Sequence, residues 1–224
     1  MKAYHSDPAI KAAVLAQIRA HRNADQLVKG TYWENGKGCA IGCAIHSKNH
    51  SEYETLFGIP VAVAYFEDTF FENLPNELAM ELPERFMGAI TPGSDLSLVQ
   101  WKLLHWLLTD ENVNPGIRHP LVSEAVVEVA KLMAVLAEGG TVSKSAARSS
   151  AGSARSAGSA AWSAMSAACS AGSAAWSAES AMNARSAESV RNAAGSAAGS
   201  AGSARNAAWV LMSDKLVQLC EEAV

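Results

Sequence analysis

The chain predicts an all-α fold, a compact multi-helix domain over residues 1–140 followed by a Ser/Ala/Gly-rich helical arm over 141–224. Three observations carry this. Apolar residues recur at three- and four-residue spacing through the first part of the chain. Prolines and glycines punctuate those runs at short intervals. No stretch sustains the two-residue alternation of a half-buried strand, so no sheet is expected.

Asp7-Pro8 supplies a cap and a first-turn proline for an opening helix. Its apolar positions Ile10, Val14, Leu15, Ile18, Leu27 and Val28 run on until Gly30. The stretch from Gly30 to Gly38 holds three glycines and two aromatics and reads as a loop. A helix is expected to resume through Cys39 and continue to His50. Residues 52–57 make a short helix ended by Gly58, and Pro60 opens the next. Pro75 and Pro83 divide two short pieces, and Ser94 or Asp95 caps a helix from Leu96 to Leu108. Pro120 opens a further helix through Val122, Val126, Val129, Met133 and Leu136, which Gly139-Gly140 closes. The domain therefore holds about seven helices joined by short turns.

Residues 143–209 differ in kind. Alanines 157, 160, 164, 167, 171, 174, 178 and 181 alternate spacings of three and four, a heptad with alanine at both seam positions. So thin a seam works by close backbone approach rather than by burial of large side chains. Trp162, Cys169 and Trp176 fall opposite it. The phase predicts a coiled-coil helix, either one rod or a hairpin folding near 182–192, and self-association or docking through 145–209. The apolar ending at about 209–220 is expected to dock as a helix.

Hydrophobic residues make up 49% of the chain, but many are alanines of the repeat, so a conventional core must come from the first domain. Residues 1–142 carry 11 Lys/Arg against 17 Asp/Glu, and residues 143–209 carry 6 against 2. The basic residues are too sparse for a nucleic-acid footprint, and no aromatic residues interleave with them. No apolar run approaches the length of a membrane span. The four cysteines do not make a disulfide scaffold, and the charged N-terminus lacks a signal-peptide pattern. A cytoplasmic protein is expected.

The richest stretch runs from Tyr32 to His50. Gly36 and Gly38 let a backbone approach a ligand closely, Lys37 stands between them, and Tyr32 and Trp33 offer flat faces. Tyr32, Trp33, Asn35, Gly36, Lys37 and Gly38 are thus the candidate ligand-binding residues, for a small anionic ligand or a protein partner. If the following segment is helical, Cys39, Cys43, His46 and His50 share one stripe. Such a stripe serves packing most simply. It also offers metal-ligand pairs, although four donors in a straight line cannot close a tetrahedron.

Cys39 after a glycine loop at a helix start is a candidate nucleophile, its pKa lowered by the helix dipole and Lys37. A polar loop followed by a cysteine opening a buried helix resembles the layout of papain-type thiol enzymes, over this stretch alone and without their fuller signature. His46 is too far along the helix to serve as base, which leaves His105 or His119, with Glu67 or Asp68 as orienter. Otherwise Glu67, Asp68 and Glu72 read as a solvated helix face, and Trp101, His105 and Trp106 as core and rim. The function expected first is a non-enzymatic binding or interaction protein with no cofactor. The alternatives are a thiol-dependent hydrolase or transferase centred on Cys39, and a Cys/His metal-binding protein.

Overall fold

The computed structural model describes residues 1–113, 123–143, 145–146, 149 and 206–224. Helices dominate the described residues: α1 (Pro8–Asn23), α2 (Ala40–Ile45), α3 (Glu52–Phe57), α4 (Val61–Asn73), α5 (Asn76–Ala89), α6 (Val99–Thr109), α7 (Ser123–Ala137) and α8, over residues 206–221. No described helix is long and apolar enough to cross a membrane. The Ala/Ser heptad expected over 145–209 lies, but for its first and last few residues, outside the described residues, as does His119.

Local chemistry accounts for most boundaries. The Asp7 side chain accepts the Ala9 N–H at 2.8 Å, with Pro8 in the first turn of α1. Gly58 ends α3 with φ of 63°. α1 stops at Asn23, short of the expected Gly30. Asp25 turns left-handed, and Gln26 to Val28 run alongside Gly38, exchanging backbone hydrogen bonds of 3.0 and 2.8 Å. Pro83 does not divide α5, because Ala79, Leu82, Phe86 and Met87 are all buried around it. Packing there outweighs the cost of about 3 kcal/mol for an interior proline. α6 begins three residues later than expected, since the Asp95 carboxylate turns back to the Ser97 N–H.

The absence of a sheet also needs correcting. Trp33–Glu34 and Lys37–Gly38 form a two-stranded antiparallel ladder, β1 and β2, with Glu34 opposite Lys37. Asn35 and Gly36 make its two-residue turn, both at positive φ (51° and 77°), as a primed hairpin turn requires.

The core gathers on α4, which packs against α2, α3, α5 and α6. Val63, Ala64, Phe70 and Phe71 are buried on it, and so is Glu67, fully. Its carboxylate accepts the Tyr53 hydroxyl at 2.9 Å. Tyr4 and Cys220 lie within electrostatic reach of Glu67, so the first turn of the chain and α8 meet α4 here. Tyr4, His5 and Ser6 all hold left-handed φ. That strained turn persists because Tyr4 is fully buried and donates to the Met87 carbonyl at 2.7 Å. The other end of the described chain joins the same core. Leu216, Leu219 and Cys220 of α8 are buried in it, Trp209 lies over Phe70, and Asp214 pairs with Arg85 at 2.7 Å. α7 packs along α6.

Truncating Leu216 to alanine is expected to cost about 2–5 kcal/mol of stability in urea unfolding. Leu211, 42% exposed on the same helix, should stay within about 0.5 kcal/mol on the same change. Burial raises the Glu67 carboxyl well above its ordinary value of 4.5. The unfolded chain therefore releases this proton at lower pH than the folded one. The stability contributed by neutral Glu67 is complete below 4.5 and is lost as pH rises towards the folded value. Glu67→Gln should accordingly flatten the fall in stability as pH rises above 4.5. Parallel pH slopes in denaturant titrations would show that Glu67 is already ionised in the fold.

Candidate functional site

The site is built where the Tyr32 segment lies across the start of α2. Cys39 N–H donates to the Thr31 carbonyl at 2.7 Å, and the next carbonyl, that of Tyr32, rests on two glycines. A Cβ at Gly38 would come within 2.2 Å of that oxygen, and one at Gly42 within 1.4 Å. Gly42 thus allows the segment to touch the helix backbone, and the contact sets Cys39 on the side facing α4.

α2 is only six residues long, and His46 closes it in a left-handed conformation with φ of 52°. The expected stripe from Cys39 to His50 is therefore broken. Cys43 is buried, its thiol over the Gly38 carbonyl at 3.3 Å, and burial pushes that thiol up to about 11. His46 turns towards α1, where its Nε2 lies 2.7 Å from His21 Nε2 and its ring stacks on Trp33 at 4.4 Å. Gln26 Oε1 sits 2.7 Å from the other His21 nitrogen. Trp33 thus fills the space between α1 and the end of α2.

His50 goes the other way. It is buried between Tyr65, stacked at 4.3 Å, and the edge of Tyr32 at 5.3 Å. Its Nε2 lies 3.4 Å from Asp68 Oδ2. Asp68 is only 8% exposed, and its other oxygen, Oδ1, has no hydrogen-bond partner. Glu72, one helical turn on, accepts the Gly30 N–H at 2.9 and 3.1 Å. The Cys39 sulfur and carboxylate oxygens of Asp68 and Glu72 all lie within 4.8 Å of one another. Gly30, Thr31, Tyr32, Asp68 and Glu72 line a cavity of about 160 Å³ beside them.

The reading of Glu67, Asp68 and Glu72 as a solvated face does not hold, since the first two are buried and the third is partly covered. The exposed stripe of α4 is Tyr65, Thr69 and Asn73, while Asp68 and Glu72 stand at i, i+4 on another side, a spacing legible in the sequence. The Asn35-Gly36 pair was likewise a hairpin signal.

Of the candidate ligand-binding residues, Tyr32 lines the cavity, 48% exposed. Trp33 packs against His21 and His46 instead. Asn35 and Gly36 form the hairpin turn, with Lys37 exposed beside it, and none of the three lines the cavity. Gly38 serves the close contact with Tyr32. Cys39 is 1% exposed, and burial first, then the neighbouring Asp68 charge, push its thiol far above its ordinary value. No hydrogen bond joins His105 on α6 to Cys39 among the described residues. Cys39, Cys43 and Cys220 are free thiols. Comparison with known protein families, characterised proteins and solved structures found no match to this chain.

Gly42→Ala is expected to cost at least the upper end of the about 1–3 kcal/mol typical of overpacking, because the obstacle is backbone. Gly88, where an added methyl meets nothing within 4 Å, provides the contrast. Gly88→Ala inside α5 should be neutral or stabilise by up to about 1 kcal/mol. Equal melting shifts for the two variants would remove the close contact as the organising feature.

Proposed function

We propose that this is a non-enzymatic binding protein whose ligand is a small cation, held between the Gly30–Tyr32 segment and α4. The observation that carries this is the cavity whose walls include Asp68 and Glu72, with Asp68 Oδ1 buried beside it and unpaired. An unpaired buried carboxylate oxygen costs free energy that a bound cation offsets. The same acidic wall disfavours the anionic ligand that the Gly36-Lys37-Gly38 sequence suggested, and Lys37 stands off the cavity on the hairpin.

The order of groups favours binding over thiol chemistry. A thiol nucleophile needs an imidazole against its sulfur and a carboxylate behind the imidazole. Here Asp68 lies against both the Cys39 sulfur and His50. The negative charge of a carboxylate that close disfavours the thiolate, and burial with that charge raises the Cys39 thiol.

The test is equilibrium dialysis of the full chain against a panel of divalent metals, small ammonium ions and small anions. One bound cation per chain is expected, lost in Asp68→Asn and unaffected by Lys37→Ala. An anion retained by the wild-type chain and released by Lys37→Ala would sink this reading in favour of the glycine-lysine loop.

A further inference from the structure

Resting on the reading of the cavity as a cation site, we propose that its occupant is a divalent, thiophilic metal ion of the zinc class, ligated by the Cys39 sulfur and the carboxylates of Asp68 and Glu72. The three donors come from two elements facing one another. Asp68 and Glu72 stand at i, i+4 on α4, and Cys39, the residue before α2, is buried beside them without lining the cavity. In a tetrahedral site with bonds of about 2.0–2.3 Å, donor atoms lie about 3.4–3.8 Å apart. Donors within 4.8 Å of one another stand no more than about 1.5 Å outside that spacing.

A second observation points to the same ligand. The Asp68 side chain is 12% exposed, the residue lines the cavity, and Oδ1 is buried without a hydrogen-bond partner. Its other oxygen is already engaged by His50, and Glu72 by the Gly30 N–H. Outer hydrogen bonds of this kind orient carboxylate ligands around a metal. His50 is then a positioning residue, restrained in turn by Tyr65 stacked on its ring and by Tyr32 in an edge contact.

Donor chemistry selects the metal. Calcium and magnesium take oxygen donors, whereas a sulfur beside two carboxylates suits zinc and cobalt. Binding breaks the Cys39 S–H bond: the electron pair stays on sulfur and forms the sulfur–metal bond, and the proton leaves to solvent. Nothing is oxidised or reduced. Three protein donors leave a fourth position for water or a small ligand in the cavity.

The test uses the full-length chain, reduced and stripped with a chelator, then titrated with Co²⁺ and back-titrated with Zn²⁺. A thiolate-to-cobalt charge-transfer band should rise to a single Co²⁺ per chain and be bleached by Zn²⁺. The band should vanish in Cys39→Ser and Cys39→Ala and persist in Cys43→Ser. Both Cys39 variants are included because the site is buried, and unchanged circular dichroism in either suffices. His50→Gln should weaken binding about 10- to 100-fold without shifting the band. Cobalt binding with no such band, or a band surviving loss of Cys39, overturns the assignment of sulfur as ligand. If Ca²⁺, Mg²⁺ or an ammonium ion then still binds in an Asp68-dependent way, the cation site itself stands. If no cation of any kind binds, both readings fall.

Discussion

The Tyr32 carbonyl lying on the bare backbone of Gly38 and Gly42 is the contact on which the site depends. It brings a loop and a helix closer than any side chain would allow. Cys39 N–H is tied to Thr31 one residue away, so the start of α2 and the incoming segment behave as one piece. That piece then presents the Cys39 sulfur and the Tyr32 ring to α4 together. The Asn35-Gly36 turn matters for the same reason. It returns the chain after two residues, so that Gly38 lies beside Leu27 as well as beneath Tyr32.

α4 meets this assembly with two consecutive acids that are buried for different ends. Successive residues on a helix diverge by about 100°, so Glu67 and Asp68 face different neighbours. Glu67 turns into the core, where Tyr53 donates to it and burial favours its neutral form. A neutral acid of that kind behaves as a core hydrogen-bonding group and asks for no counter-ion. Asp68 turns to the cavity, with an imidazole on one oxygen and no partner on the other. The difference in partners is what separates a structural acid from a candidate ligand.

Much of the helical framework was legible because it rests on local chemistry. The Asp7 cap, the Gly58 stop and the openings after Pro60 and Pro75 are read from a few adjacent residues. Pro83 misled because the force that keeps α5 continuous is long-range packing of Leu82, Phe86 and Met87. Among site residues, Tyr32, Cys39 and His50 were singled out from sequence, yet the geometry joining them was not. A helix assumed to continue through His46 placed His50 on the wrong stripe, whereas a left-handed residue at His46 sends the chain away. No single residue type announces that reversal. Charge in a sequence reads as exposure, yet the exposed stripe of α4 is Tyr65, Thr69 and Asn73, and Asp68 and Glu72 turn towards the Tyr32 segment instead.

The position of α8 bears on the site through the same helix. Trp209 lies over Phe70, and Cys220 is within electrostatic reach of Glu67, both on α4. Asp68 and Glu72 are neighbours of these residues in sequence but address the opposite partner, the Tyr32 segment. A shift of α4 along or about its axis would therefore register at both places. Interiors packed to this degree transmit displacement rather than absorb it. The two ends of the described chain, with Tyr4 on one side and Cys220 on the other, come near Glu67, on the helix that also bears Asp68 and Glu72.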